Sequence, residues 1–415
     1  MTRHNKTRGA WSRRGMIGGG AATMAVSGAG GTALAQAGEP GLAADIGAFL
    51  KFGIHRCGTD GERATARWLA GRLGALGYQV KIEAFPVTTY LDPGGSLIVG
   101  DLKTDAFPQW RAPAAALGRP IRGPLRPLGQ ATPGCIAVAE HLLPAGAYWT
   151  KQQDLALAAK AAGAAALVIG FDEPTDQIFT CNQESDQQLP LPVAEVRKSA
   201  LTAALGKPGA EATLLLKGQL TDTHGLYIAA HKPGEGEAIV LSTPLTGWFT
   251  CGGERGPGIA LMLKLARDLA ASKRPVWLLA TGAHELGHRG MRLALKAQPL
   301  PRPKATAVWV HLGAGIAAEA LDAPYGLHSQ RALTIDPALE SKIGALFPAA
   351  RWMRVAPKPD APGEGGDVIA AGYTRIVGMA GGFPGFHTPN DDGSAVDFTK
   401  LAAIGDGLSG FLTGL

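Results

Sequence analysis

Pro275-Val276-Trp277-Leu278-Leu279-Ala280-Thr281-Gly282-Ala283-His284-Glu285-Leu286-Gly287-His288 is the stretch whose reading decides the fold. Its first half is a short apolar run closed by Gly282, the pattern of a buried strand. Its second half carries a His-Glu-x-x-His string. That string holds zinc when it lies along a helix, because residues i and i+4 then share one face. Here Gly282 and Gly287 bracket and interrupt it. The sequence therefore predicts a strand over 275–280, a turn, and a helix over 288–297. Two imidazoles and a carboxylate then sit on a loop after a strand, where the sites of open α/β sheets gather.

Strand and helix signals alternate outward from this stretch. Residues 61–76 carry Trp68, Leu69, Leu73 and Leu76 at helical spacing, with Gly77 placed to end the helix. Residues 80–85 alternate as a half-buried strand. Strands are also expected at 226–230, 238–241, 307–310 and 374–378, and helices at 256–272 and 397–414. The pattern implies an α/β fold with a mixed central sheet and helices on both faces. Residues 96–220 differ in texture. A Pro-rich run leads into short β-like pieces at 135–139, 165–169 and 190–196, with an Ala-rich helix over 152–162. They read as a β-rich insert separate from the main sheet. The expected division is a leader at 1–37, a catalytic domain from 38–95 and 221–415, and the insert at 96–220.

The 415 residues suffice for two domains and a large core. The net charge of +6 owes five of its units to Arg3, Lys6, Arg8, Arg13 and Arg14, which leaves +1 for residues 38–415. Without a basic stripe interleaved with aromatics, nucleic acid is not an expected partner. Ser12-Arg13-Arg14-Gly15-Met16 is a twin-arginine pattern, followed by a Gly/Ala-rich stretch ending in Ala35-Gln36-Ala37. It predicts export to the periplasm or beyond and no stable membrane association after cleavage. Cys57, Cys135, Cys181 and Cys251 match no metal knuckle. A Cys135–Cys181 bridge is one possible pairing among several.

Four loops after expected strands carry unusual polar residues. They hold Thr243 with Cys251-Gly-Gly-Glu254-Arg255, then His284-Glu285, then His311, then Phe386-His387-Thr388-Pro389-Asn390-Asp391. Converging strand ends would gather these into a His/Glu crevice able to hold zinc. Asp367 and Asp391 are candidates to orient an imidazole. Trp248 and Phe249 either line an apolar pocket or pack in the core. His288 is expected to face solvent or cap the helix.

Over nearly all of residues 38–415 the order and spacing of these pieces resemble the di-zinc aminopeptidase family. That family includes secreted leucyl aminopeptidases and glutamate carboxypeptidase II. The resemblance is carried by Gly258-Ile-Ala-Leu-Met-Leu, Glu285-Leu-Gly-His-Arg-Gly290 and His387-Thr-Pro-Asn-Asp391. Gly134-Cys-Ile-Ala-Val, Lys160-Ala-Ala-Gly163 and Leu189-Pro-Leu-Pro192-Val resemble a protease-associated domain. The resemblance implies metal roles for Glu285 and His387. It places Glu254 at the bridging aspartate and His311 at a further ligand. It also places Thr243 at a histidine ligand and His284 at the catalytic glutamate, so the two-metal set is altered.

The expectation is an exported hydrolase of peptide or small amide bonds. One zinc would be held by Glu254, Glu285 and His387, with His311 beside them and two ions remaining possible. His284 would be the base, and Thr243, Trp248 and Arg255 would meet substrate. A catalytically silent peptide-binding relative is the second reading. A glutaminyl-cyclase-like acyltransferase, on a similar fold with one zinc, is the third.

Overall fold

The stretch 275–288 folds as strand, turn and helix. The strand is Val276–Thr281 and the helix Arg289–Ala297. In this computed structural model residues 41–144, 149–183, 188–318, 331–346, 351–353 and 363–415 are described. The expected leader, including Arg13 and Arg14, lies outside them.

Val276–Thr281 runs parallel to Ala238–Pro244 on one side and antiparallel to Glu211–Lys232 on the other. Parallel pairing continues from Ala238–Pro244 to Thr306–Leu312 and on to Ile376–Ala380. Such strands are covered on both faces, which is why they read as apolar runs without clean alternation. Leu241, Leu278, Val310 and Val377 turn to one face. There they pack with Ile46 and Phe49 of helix Leu42–Leu50, Leu69 and Leu73 of helix Asp60–Ala75, Leu261 and Leu265 of helix Gly256–Asp268, and Leu401 and Leu408 of helix Phe398–Thr413. Val240, Leu279, Trp309 and Ile376 turn to the other, with Met291 and Ala294 of Arg289–Ala297 and Val368 and Ile369 of helix Glu364–Ala370. The mixed sheet with helices on both faces is thus as expected. Thr59 caps Asp60–Ala75 by accepting from the Glu62 amide, and Gly77 follows its end at φ +86°.

Residues 96–220, expected as a module apart from the main sheet, build hydrophobic clusters of their own and reach that sheet through a ribbon. Gln79–Val99 and Glu211–Lys232 form one long antiparallel ribbon, irregular only between Leu91 and Gly94. Ile121–Pro127 pairs with Glu211–Lys232, and Ile136–Val138, Ala166–Asp172 and Val193–Val196 follow in parallel. The described strands therefore join in one fifteen-stranded sheet. The ribbon's outer edge offers unpaired amides and carbonyls, and Ile121–Pro127 satisfies them. Composition records the Pro-rich texture of this region but not that pairing. The Ala-rich helix is present as Trp149–Ala161. Cys135 is a free buried thiol, so the Cys135–Cys181 bridge is absent. Among the described residues no helix is long and apolar enough to cross a membrane.

The turn after Val276–Thr281 is closed by Gly290, whose amide donates to the Gly282 carbonyl at 3.0 Å. A Cβ on Gly290 would lie 2.3 Å from that carbonyl oxygen. Gly290→Ala is therefore expected to destabilise the chain by about 1–3 kcal/mol, since backbone must shift to admit the methyl. A urea titration measures this, and an unchanged midpoint contradicts the close approach.

Candidate active site

The loops following the parallel strands meet at the carboxyl ends of those strands. Several of their residues have positive φ without being glycine: Cys251 at 55°, Ala283 at 55°, His288 at 53° and His387 at 60°. Each such residue costs on the order of 1 kcal/mol and persists only where surroundings enforce it, a pattern typical of functional loops.

Arg255 lies at the centre. It is 1 % exposed and precedes helix Gly256–Asp268. Its Nη2 is 2.7 Å from Glu254 Oε1 and 3.3 Å from Glu285 Oε1. Its Nε donates to the Thr246 carbonyl at 2.6 Å, and Thr246 Oγ1 donates to Glu285 Oε2 at 2.8 Å. Burial opposes the charge of Glu254, but Arg255 and His387 outweigh it and hold the carboxyl down at about 2. Burial pushes Glu285 up, only partly offset by Arg255. The closer carboxylate takes the larger share of the guanidinium.

His387 Nε2 faces Glu254 Oε1 at 3.1 Å. Its Nδ1 is 2.9 Å from the Thr180 carbonyl, which can only accept, so Nδ1 carries a proton. Thr180 belongs to the 96–220 region, and its amide returns a bond to the His387 carbonyl at 3.1 Å. From the same region the Gln183 amide donates to the Glu285 carbonyl at 2.7 Å. Asn182 accepts from Trp248 Nε1 at 3.0 Å. The segment 180–183 thus fixes both the Glu285 and the His387 loops.

His284 stands beside this group. Its Nδ1 is 3.2 Å from Glu364 Oε1, while Thr281 Oγ1 donates to Glu364 Oε2 at 2.7 Å. Burial, reinforced by Arg255 and neighbouring imidazoles, keeps the His284 pKa well below its usual range, so the ring is neutral. Burial pushes Glu364 up to about 8. His288 Nδ1 is 2.8 Å from Asp367 Oδ2, and Arg292 holds Asp367 Oδ1 at 2.8 Å. The helix begins only at Arg289, so the His-Glu-x-x-His string is not a helical zinc motif.

Several expected roles need correction. Thr243 is fully buried under Gly258, where an added Cβ would lie 2.5 Å from its Oγ1, so it does not meet substrate. Trp248 is 1 % exposed and packs edge-on against Trp110, so it is core. Arg255 is engaged by carboxylates and not open to substrate. His311 pairs with Ser242 Oγ at 2.9 Å, and burial pulls it down to about 3. Asp391 orients no imidazole. It accepts from the amides of Gly253 and Glu254 and so sets the Glu254 backbone. Asp367 does orient an imidazole, that of His288.

The expected zinc meets an obstacle in this donor set. Both oxygens of Glu254 are buried without a hydrogen bond of acceptable geometry, which by itself invites a cation. The guanidinium already stands against them. Zinc needs carboxylate oxygens at about 2.0–2.2 Å, and an ion so close to Glu254 and Glu285 would lie against Arg255 Nη2. Among the described residues no group of three or more His, Cys, Asp or Glu side chains is disposed to hold a metal ion. With Arg255 in place the residues do not fit the metal.

Glu364 was not anticipated, nor was the 180–183 clamp. Glu364 stands three residues before the noted Asp367, a spacing that places both on one helix face.

No family model and no curated protein matches the sequence. Solved structures do match its fold. The zinc aminopeptidase BSAP from Bacillus subtilis aligns with a TM-score of 0.70 at 18 % identity, over 91 % of this chain and 95 % of that one. A peptidase M28 precursor from Shewanella amazonensis SB2B gives 0.66 at 17 %, over 90 % and 92 %. An aminopeptidase from Aneurinibacillus sp. strain AM-1 gives 0.63 at 17 %, over 89 % and 93 %. The chain therefore has the zinc-aminopeptidase fold.

Glu364 and Asp391, the latter pushed by burial to about 7, favour the folded chain while protonated. Their contribution is complete below their unfolded values and is lost as pH rises through 7 to 8. Glu254 acts oppositely, losing its contribution only as pH falls toward about 2. The depressed histidines His284 and His311 lose theirs only below 6.5. The urea midpoint is thus expected to fall between pH 6.5 and 8, and Glu364→Gln to flatten that fall. An equal slope in both proteins contradicts this.

Proposed function

We propose that the chain is an exported protein that hydrolyses peptide or related amide bonds in this crevice, with His284 as the base. The observation that carries the reading is the His284–Glu364 pair at the carboxyl ends of the parallel strands. Thr281 fixes Glu364, and Glu364 takes up His284 Nδ1. Once Glu364 is ionised, its Oε1 accepts from His284 Nδ1–H, and Nε2 of the neutral imidazole, on a side chain 12 % exposed, is free to accept a proton from an attacking water. The fold supports the reading, since the similar structures are named as aminopeptidases and a peptidase. Export rests on the twin-arginine pattern at Arg13-Arg14 and the Ala35-Gln36-Ala37 site.

One observation favours a second reading, a peptide-binding relative without turnover: Arg255 stands between Glu254 and Glu285, the carboxylates that would hold a metal ion. A panel of aminoacyl amides, short peptides and N-terminal Gln-peptides, followed by mass spectrometry, separates the readings. Hydrolysis is expected, with His284→Ala lowering kcat/KM by about 10²–10⁴. Peptide binding with no turnover selects the second reading. Pyroglutamate formation without hydrolysis selects a cyclase-like transferase.

A further inference from the structure

We infer that Arg255 is an internal cation that takes the place of a metal ion, so that the crevice is built to work without one. The inference concerns the site's electrostatics and stands whether or not the crevice turns substrate over.

Two buried carboxylates converge on one guanidinium. Glu254 Oε1 and Glu285 Oε1 both face Arg255 Nη2, at 2.7 and 3.3 Å, while His387 Nε2 stands 3.1 Å from Glu254 Oε1. The groups around this pair are themselves held by hydrogen bonds. The Thr180 carbonyl holds His387 Nδ1–H and so directs Nε2 inward, Thr246 Oγ1 holds the other Glu285 oxygen, and Asp391 holds the Glu254 backbone. Arg255 is itself fixed, because its Nε donates to the Thr246 carbonyl and the side chain is 1 % exposed. A guanidinium in this setting is permanently charged. It is tethered to the chain, so neither a chelator nor metal scarcity removes it. Leaving Glu254 and Glu285 without it would bury two carboxylates side by side, which is costly unless a cation compensates.

The inference also explains the altered residues around the site. Thr243, at a position where the resemblance placed a metal ligand, is turned to packing, and His311, at another, shows no contact with Glu254 or Glu285. Thr243 packs against Gly258, and His311 bonds Ser242. One cation between Glu254 and Glu285 needs neither.

The test uses the full chain purified without added metal, analysed for bound metals and titrated with zinc. Wild type is expected to carry substoichiometric zinc and to keep its melting temperature in a chelator. Arg255→Ala is expected to bind zinc at least about a hundredfold more tightly, because a like charge no longer faces the ion. Its melting temperature should fall without zinc and recover with it. Arg255→Lys retains a charge and should remain as indifferent to zinc as wild type. One zinc per wild-type chain whose removal lowers the melting temperature overturns the inference. So does an Arg255→Ala protein that zinc neither binds tightly nor restores.

Discussion

The guanidinium of Arg255, held between the buried carboxylates of Glu254 and Glu285, is the constraint around which the rest of the crevice is arranged. A charge this deep must be paired, and removing one partner of such a group costs about 3–5 kcal/mol because the other is left uncompensated. Each carboxylate is therefore held in register by its surroundings. Asp391 accepts the Gly253 and Glu254 amides, Thr246 reaches both Arg255 and Glu285, and His387 closes on Glu254. The positive φ at Cys251, Ala283 and His387 belongs to the same arrangement, since those turns bring three separate loops to one point.

The region 96–220 takes part in that arrangement as more than an appendage. Its strands continue the sheet through the long ribbon, and its segment 180–183 binds the backbone of both the Glu285 and the His387 loops. Glu173, from the same region, also accepts the Gly385 amide at 3.2 Å. The site is thus shared between stretches about one hundred to two hundred residues apart in the chain, and loosening either would loosen both.

Much of the fold was legible in the sequence because buried parallel strands declare themselves as apolar runs bounded by Gly and Pro. The 275–288 stretch is the clearest case, since Gly282 and Gly287 exclude a continuous helix and the turn follows. The two long strands were read only in part. The middle of Glu211–Lys232 is polar and largely exposed, and in Gln79–Val99 the buried Phe85, Val87 and Tyr90 are interleaved with Pro86 and threonines, so neither gives an apolar run to find. In the site, Glu254, His284, Glu285 and His387 do come together, as their positions after strands implied. What residue identity could not disclose was the direction of each side chain. The sequence suggests a substrate contact for Arg255, yet the side chain points inward because two carboxylates await it. Thr243 and Trp248 proved to be packing residues. Glu364 escaped notice because one carboxylate among glycines carries no periodic signal, and its value arises only when Thr281 and His284 converge on it.

The most direct test of Arg255 as a resident cation is a crystal structure of the wild-type chain grown with excess zinc, with anomalous data collected at the zinc edge. The account predicts the guanidinium between Glu254 and Glu285 and no anomalous peak there. A zinc peak bounded by Glu254, Glu285 and His387, with Arg255 displaced, would contradict it.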